Sequence, residues 1–186
     1  MNRAILTILI FCVFLSSQAR PEDAEALSKE MAKENQKFLA EFRKRQSTAV
    51  EALEKINPDK IQLYLYSLDP LNRQPIIHDA PSVFYGYPIL GRVEIKPIEE
   101  KRTLFQAFIQ GVKESDGMEA DCFEPRHGLR VIQEGRKTDF VICYSCLSVS
   151  AIGFGSNYEF LTSGTPMTLF NQYLDRYHLR KADPPR

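Results

Sequence analysis

The sequence predicts an α+β fold in which a mainly antiparallel sheet is packed by two helices and preceded by a long N-terminal helix. Three observations support this fold class. Short segments rich in β-branched and aromatic residues follow one another after Lys60, segments with helical periodicity bracket them, and a long charged segment precedes them all. Consecutive strands are typical of an antiparallel sheet, whereas a strict alternation of strands and helices indicates a parallel one.

The start of the chain has the layout of a secretory signal peptide. Arg3 supplies one positive charge, an apolar run of twelve residues extends from Ala4 to Leu15, and small and polar residues lead to Ala19. This order favours cleavage near Ala19, so that residues 1–19 are the signal peptide. A retained membrane anchor is the alternative, but about 20 apolar residues are needed to cross a hydrocarbon core. We therefore expect an exported protein, periplasmic or secreted, in surroundings where disulfides persist.

The remaining chain of about 167 residues has a length typical of one domain, and it has no apolar segment long enough for a transmembrane span. Without Arg3, 23 Lys and Arg residues face 24 Asp and Glu residues, which leaves a net charge near −1. This balance gives no electrostatic reason to expect a nucleic acid as a partner.

Residues 20–58 predict a long charged helix before a single α+β domain of residues 59–186. Acidic residues after Pro21 suit the positive end of a helix dipole, and Asn57-Pro58 ends the helical pattern. Apolar residues recur over 21–56 at intervals of three and four with gaps, which makes a thin apolar stripe. Two interpretations stay open: self-association of two such helices in a coiled coil, or a solvated helix packed along the domain.

The domain combines strand-like and helix-like patterns. Alternation and β-branched content predict strands at 61–66, 89–95, 119–123, 128–133 and 138–149. The segment 69–88, with four prolines, predicts an irregular loop, and helical periodicity predicts helices over 99–114 and 166–178. The segments "AIGF" and "YEFLT" predict a further hairpin around residues 155–157.

Three cysteines and one histidine fall within a short stretch: Cys122, His127, Cys143 and Cys146. Successive side chains of a strand point to opposite faces, so an unbroken strand would separate Cys143 from Cys146. If "EGRK" closes the hairpin with Gln133 opposite Thr138, Cys122 falls nearer to Cys146 than to Cys143. A disulfide needs Cα atoms within about 7 Å, so this register favours a Cys122–Cys146 disulfide with one thiol left over.

The same four residues offer two other interpretations. Cys122-x4-His127 and Cys143-x2-Cys146 together supply a Cys₃His set, which zinc binds tetrahedrally. The strand-forming residues after "CYSC" fit a zinc knuckle poorly, and oxidising surroundings compete for the thiolates. Thiol redox chemistry is the third interpretation, because C-x-x-C is a thioredoxin-type spacing, although no helical pattern follows to activate the first thiol.

Arg126 and Arg130, on either side of His127, form a candidate anion site for a carboxylate or a phosphate. The alternative is a loop whose arginines cover the edge of the sheet. The sequence contains no G-x-S-x-G, no P-loop and no H-E-x-x-H motif. No catalytic residue is therefore assigned, and enzymatic activity stays an open question.

The segments "GYPILGRVEI", "CFEPRHGLRV" and "DFVICYSC" resemble a group of small exported bacterial proteins that carry C-F-x-P-R-H-G followed by I-C-[FY]-x-C. The closing "PMTLFNQYL" is similar to the C-terminal helix of that group. The resemblance covers about half to two thirds of the chain and leaves the N-terminal helix outside it. It implies an exported bacterial origin and the extent of the domain, and it implies no catalytic role for any residue.

These observations lead to one expectation and one alternative. We expect a non-enzymatic binding or structural module without a cofactor, stiffened around Cys122, Cys143 and Cys146. The alternative is a zinc-binding or thiol-redox protein that uses the same cysteines together with His127.

Overall fold

The computed structural model describes residues 21–75, 81–154 and 158–183, with side chains from residue 28 onward. The predicted signal peptide and its cleavage near Ala19 lie outside the described residues. The chain divides into two compact units at Lys44, inside the first helix, and the second unit carries the sheet.

Three α-helices and seven strands make up the described part of the chain. The helices are α1 (Pro21–Glu54), α2 (Ile98–Lys113) and α3 (Met167–Arg176), with a short 3₁₀ turn at Pro58–Lys60. The strands are β1 (Gln62–Leu68), β2 (Val83–Phe84), β3 (Tyr87–Ile95), β4 (His127–Gln133), β5 (Arg136–Cys143), β6 (Ser148–Ile152) and β7 (Tyr158–Leu161).

The seven described strands form one antiparallel sheet in the order β2-β3-β1-β4-β5-β6-β7. Most neighbours in this sheet are consecutive in the chain, whereas α2 carries the chain from β3 to β4 on the other side of β1. The predicted α+β class, with an antiparallel sheet and a preceding long helix, is therefore confirmed.

The main core lies between one face of the sheet and the helices. Phe108 of α2 packs on Phe140 of β5 with ring centroids 5.0 Å apart, and both side chains are fully buried. The last turns of α1 contribute Ala49 and Leu53, and α3 contributes Phe170 among others. Burial of one such large side chain contributes about 1.5–3 kcal/mol, so this layer dominates the stability of the domain.

A second, smaller cluster covers the opposite face, where the β2–β3 hairpin folds over β1. Tyr66 stacks on Phe84 with ring centroids 4.4 Å apart, and the guanidinium of Arg130 lies over both rings. Arg130 donates two hydrogen bonds, of 2.7 and 2.9 Å, to the fully buried carboxylate of Asp139. The Tyr85 hydroxyl donates a third, of 2.8 Å, so this buried charge is well compensated.

Three local predictions are wrong. Residues 119–123 are all exposed and form no strand, because no alternate residue is buried against the sheet. The predicted loop 69–88 contains β2 and the start of β3. The predicted strand 138–149 is two strands, β5 and β6, because the chain turns at Tyr144–Leu147 despite the strand-forming residues there.

Candidate functional site at the cysteine end of the sheet

We use the name "cysteine end" for residues 122–127 and 143–147, which lie where β4 begins and β5 ends. The turn after β5 brings two cysteines together. Because the strand ends at Cys143, the chain folds back, the Cα atoms of Cys143 and Cys146 lie 5.2 Å apart, and a disulfide joins them. The expected disulfide is therefore present, but in the structure it joins Cys143 to Cys146 and not, as predicted, Cys122 to Cys146.

The pairing differs because the chain turns at Tyr144–Leu147, directly after Cys143, and the hairpin register differs from the prediction as well. Gln133 pairs with Arg136, so only Glu134 and Gly135 connect β4 to β5. Both residues have a positive φ, of 52° and 76°, as in a type I′ turn, which matches the twist of a hairpin. The assumed partner of Gln133, Thr138, required a four-residue turn and shifted every later pair by two positions.

Cys122 keeps a free, exposed thiol beside this disulfide. Its Sγ lies 3.2 Å from the Sγ of Cys146. The backbone holds the Cys122 loop in place, since Ala120 N–H donates to the Cys146 carbonyl at 3.2 Å and Glu124 N–H donates to Cys146 Sγ at 3.4 Å. The structure therefore gathers all three sulfur atoms at one point.

His127 is buried at the start of β4 and is 2% exposed. Its Nε2 donates a 3.0 Å hydrogen bond to Oδ1 of Asn171 on α3. Its ring packs against Tyr144 and Phe170 at centroid distances of 5.4 and 5.6 Å. Desolvation by burial lowers the pKa of His127 to about 4, although the hydrogen bond to Asn171 acts in the other direction. The imidazole is therefore neutral at pH 7.

The predicted zinc ligands do not form a ready metal site. Within the part of the chain that the structure describes, no group of three or more His, Cys, Asp or Glu side chains is arranged to hold a metal ion. With Cys143 and Cys146 joined, Cys122 is the one cysteine among the predicted ligands that retains a thiol. The Cys₃His interpretation, which also needs His127, stays a prediction for the reduced protein.

The two arginines of the candidate anion site are not brought to one place. Arg130 lies with the aromatic cluster on the face opposite the helices, where it binds Asp139. Arg126 lies beside His127, and its guanidinium donates to the carbonyl oxygens of Asp183 at 2.9 Å and Glu124 at 3.2 Å. Each guanidinium is therefore held by groups of this chain.

A cavity of about 360 Å³ opens beside the cysteine end. Ser67, His127 and Tyr144 form its floor and are 0%, 2% and 3% exposed. Its walls and mouth are formed by Glu124, Arg126, Ser145, Met167, Asn171, Leu174, Lys181 and Ala182. The cavity therefore has a buried polar floor and a mouth that carries charged side chains.

The alternation of side chains along three neighbouring strands explains the floor. The apolar series that face the helices are Leu63 and Leu65 in β1, Leu129 and Val131 in β4, and Phe140 and Ile142 in β5. A step of two residues toward the cysteine end gives Ser67, His127 and Tyr144. Ser67 and Tyr144 were not predicted as site residues. The pattern that indicates them is a polar side chain at the end of an apolar series with a period of two residues.

Two hydroxyl groups of the floor lack a partner. Ser67 Oγ and Tyr144 OH are buried and form no hydrogen bond within the described residues. An unsatisfied buried polar group costs about 1–3 kcal/mol, unless a molecule in the cavity supplies its partner. Burial also raises the pKa of Tyr144 well above its usual value of 10, so its hydroxyl stays protonated and able to donate.

The charged side chains at the mouth are paired with each other or with their neighbours. Lys181 Nζ lies 2.6 Å from a carboxylate oxygen of Asp175, and Arg126 lies 3.5 Å from the carboxylate of Glu124. Charge is therefore confined to the mouth, and the floor is polar but uncharged.

Comparison of the chain with models of protein families, with curated proteins and with solved structures gives no match. Within the described ranges, none of the helices combines the length and the hydropathy that a membrane crossing requires. The function has to be inferred from the geometry of the cysteine end and its cavity.

Proposed function

We propose that this protein is an exported binding module that holds a small organic molecule through an uncharged hydrogen-bonding group. The observation that carries the proposal is the pair of buried hydroxyls, on Ser67 and Tyr144, that share a cavity and have no partner among the described residues. A hydroxyl, carbonyl or amide of a ligand supplies the missing hydrogen bonds and removes their desolvation cost.

The pKa values of the floor residues support an uncharged group. Desolvation lowers the pKa of His127 to about 4 and raises that of Tyr144, and both shifts disfavour the charged form of the residue. A carboxylate or an ammonium group on the floor would meet the same desolvation cost without a buried counter-ion. Any charged part of the ligand therefore lies at the mouth, near Arg126 and Lys181.

The size and the walls of the cavity suit a small molecule with an apolar body. Met167 and Leu174 of α3 provide apolar surface beside the polar floor. The volume of about 360 Å³ lies at the lower end of the range for small-molecule sites, about 300–1,000 Å³. Such a cavity holds one compact organic molecule rather than a polymer.

The cysteine cluster has a supporting role in this proposal. The Cys143–Cys146 disulfide closes the turn that carries Tyr144, so it holds one of the three floor residues in place. Export through cleavage near Ala19, to the periplasm or to the outside of the cell, belongs to the proposal because it supplies the oxidising surroundings that a disulfide needs. Zinc binding by the reduced cysteines and His127 is the alternative, and self-association through the N-terminal helix stays a prediction.

The proposal is tested by NMR titration of the uniformly ¹⁵N-labelled protein with benzyl alcohol, benzamide and benzoate in separate experiments. These probes share an apolar ring and differ in whether the attached polar group is charged. We expect benzyl alcohol and benzamide to shift the backbone amides of Ser67, His127 and Tyr144, and benzoate to shift them much less. Binding of benzoate alone would overturn the assignment of an uncharged ligand.

Four variants test whether an effect on probe binding is specific to the hydroxyls that line the cavity or common to all buried hydroxyls. Tyr144→Phe and Ser67→Ala remove the two hydroxyls of the floor, and we expect either change to weaken binding of the probes. Tyr87→Phe and Ser148→Ala are the matched controls, because these hydroxyls are also buried and lack a partner among the described residues but do not line the cavity. Equal loss in all four variants, or no shift in the parent protein, would contradict the proposal.

A further inference from the structure

We infer that the three cysteines form a thiol–disulfide exchange site in which Cys122 attacks Cys146 and Cys143 leaves. The contact that carries this inference is the 3.2 Å separation between the free Cys122 Sγ and the Cys146 Sγ of the existing disulfide. Disulfides exchange by attack of a thiolate on one of the two sulfur atoms, and the reacting atoms here already touch. This site does not depend on ligand binding in the cavity.

The exchange is balanced within the chain. A proton leaves the exposed Cys122 thiol for the solvent, and the resulting thiolate forms a bond to Cys146 Sγ. The Cys143–Cys146 bond breaks, its electron pair goes to Cys143, and the Cys143 thiolate then takes up a proton. One disulfide and one thiol are present before and after, so no external oxidant or reductant is consumed.

The surroundings of Cys143 suit a leaving group. The Cys146 backbone N–H donates to Cys143 Sγ at 3.2 Å, and the Ser145 hydroxyl lies 3.5 Å from the same sulfur atom. Hydrogen-bond donors stabilise the charged form of an acid, here the departing thiolate. The Glu124 carbonyl oxygen lies 3.3 Å from Cys143 Sγ, so it can accept a hydrogen bond once the thiol is protonated.

The two pairings differ in which thiol faces the solvent. With Cys143–Cys146 joined, the free thiol is the exposed Cys122. With Cys122–Cys146 joined, the free thiol is that of Cys143, which is a fully buried residue. The exchange therefore exposes or withdraws one reactive thiol, and an external disulfide or alkylating agent meets an exposed thiol of this cluster when Cys143 and Cys146 are joined.

The exchange also ties the Cys122 loop covalently to the turn beside the cavity. Glu124 and Arg126, which follow Cys122, lie at the mouth of the cavity, and Tyr144 and Ser145 precede Cys146. The Cys122–Cys146 pairing therefore adds a covalent link between two segments beside the mouth, which the Cys143–Cys146 pairing leaves joined by noncovalent contacts.

The inference is tested by mapping the disulfides of the exported protein, purified without reductant. One sample is quenched with acid at once, and a second is first treated for hours with iodoacetamide under native conditions. Both are digested with pepsin at low pH, where thiolates are scarce, and the linked and alkylated peptides are identified by mass spectrometry. We expect both pairings in the quenched sample, and conversion of the treated sample to one species, alkylated at Cys122 with Cys143 and Cys146 joined.

The complete conversion is expected because alkylation consumes the species with a free Cys122 thiol. The exchange then converts the Cys122–Cys146 species into that form until none remains. A fraction that keeps the Cys122–Cys146 pair throughout the treatment, or a single pairing in the quenched sample, would overturn the inference.

Single substitutions test the role of each sulfur atom. In Cys143→Ser we expect a Cys122–Cys146 disulfide, and in Cys122→Ser a Cys143–Cys146 disulfide. Cys146→Ser removes the shared sulfur atom, and we expect two free thiols. Circular dichroism confirms that each variant is folded. Two free thiols in folded Cys143→Ser, or a Cys122–Cys143 disulfide in Cys146→Ser, would contradict the assigned roles.

Discussion

The helix-side core and the cysteine end lie on the same face of the sheet, yet they use buried residues in opposite ways. In the core, Phe108, Phe140 and Phe160 pack as apolar rings with no polar atom to satisfy. Beside the cysteine end the same face continues with Ser67 and Tyr144, whose hydroxyl groups have no partner in the described chain.

The two regions differ in whether their buried residues stabilise the folded state. An apolar side chain in the core stabilises the folded state through its burial. A buried hydroxyl without a partner reduces stability, so its presence needs a different reason. We propose ligand binding as that reason beside the cysteine end, where hydroxyls without a partner in the described chain border a cavity.

The largest expected effect comes from the core. Phe140→Ala removes a fully buried ring and leaves a cavity, and we expect a loss of about 3–5 kcal/mol in the free energy of unfolding. Met118→Ala is the control, because Met118 is 63% exposed and its change should cost less than about 0.5 kcal/mol. Urea denaturation followed by circular dichroism measures both. Comparable losses of stability for the two variants would contradict the role assigned to the buried core.

Arg130 and Arg126 are both paired with carboxylates, but we expect them to contribute differently to stability. Arg130→Ala leaves the fully buried Asp139 without its counter-ion, and we expect a loss of about 3 kcal/mol in the free energy of unfolding. Arg126→Ala removes a charge at the cavity mouth, where the expected loss of stability is below about 1 kcal/mol. Thermal or urea denaturation of both variants provides the measurement. A larger loss for Arg126→Ala would reverse the assigned roles.

Acid should destabilise the protein through His127. Above pH 6.5 the imidazole is neutral in the folded and in the unfolded chain, so this contribution to stability is fully present. As the pH falls from 6.5 to about 4, the unfolded chain binds a proton that the folded chain excludes, and we expect a loss on the order of 3 kcal/mol.

Urea denaturation at several pH values measures this effect, and the titration-free variant His127→Phe provides the control. The difference in stability between parent and variant should change across the pH range from 6.5 to 4. A difference that is constant with pH would show that His127 titrates alike in both states.

The smallest expected effect is that of Tyr144→Phe in the free protein. Because the Tyr144 hydroxyl has no partner in the described chain, its removal should change the free energy of unfolding by less than about 1 kcal/mol, or increase it. Differential scanning calorimetry without added ligand checks this. A loss of several kcal/mol would mean that the hydroxyl serves the fold itself.

The fold was predictable from the sequence to the extent that local patterns decide it. The patterns that predicted strands at 61–66 and 128–133 and a helix over 99–114 correspond to β1, β4 and α2, which supply much of the main core. The turn at Tyr144–Leu147 was not predictable, because its residues favour a strand and the turn depends on tertiary contacts. The tertiary context therefore overrides local propensity at the position where the disulfide forms.

The candidate site was predictable only in part. The spacing of Cys122, Cys143 and Cys146 indicated that they meet, but the Cys143–Cys146 pairing depends on the turn at Tyr144–Leu147, whose residues favour a strand. Asn171 binds His127 across 44 residues of chain, and no local pattern of the sequence carries such a contact.

The most direct test of the central claim observes the Tyr144 hydroxyl itself. The protein is prepared with ¹³C at the ζ carbon of its eight tyrosines, and the resonance of Tyr144 is assigned by its loss in Tyr144→Phe. This carbon responds to a hydrogen bond at the attached oxygen. The account predicts that benzamide shifts the Tyr144 resonance and leaves that of Tyr87 unchanged. A Tyr144 resonance that does not move at saturating benzamide, while the backbone amides around the cavity do, would contradict it.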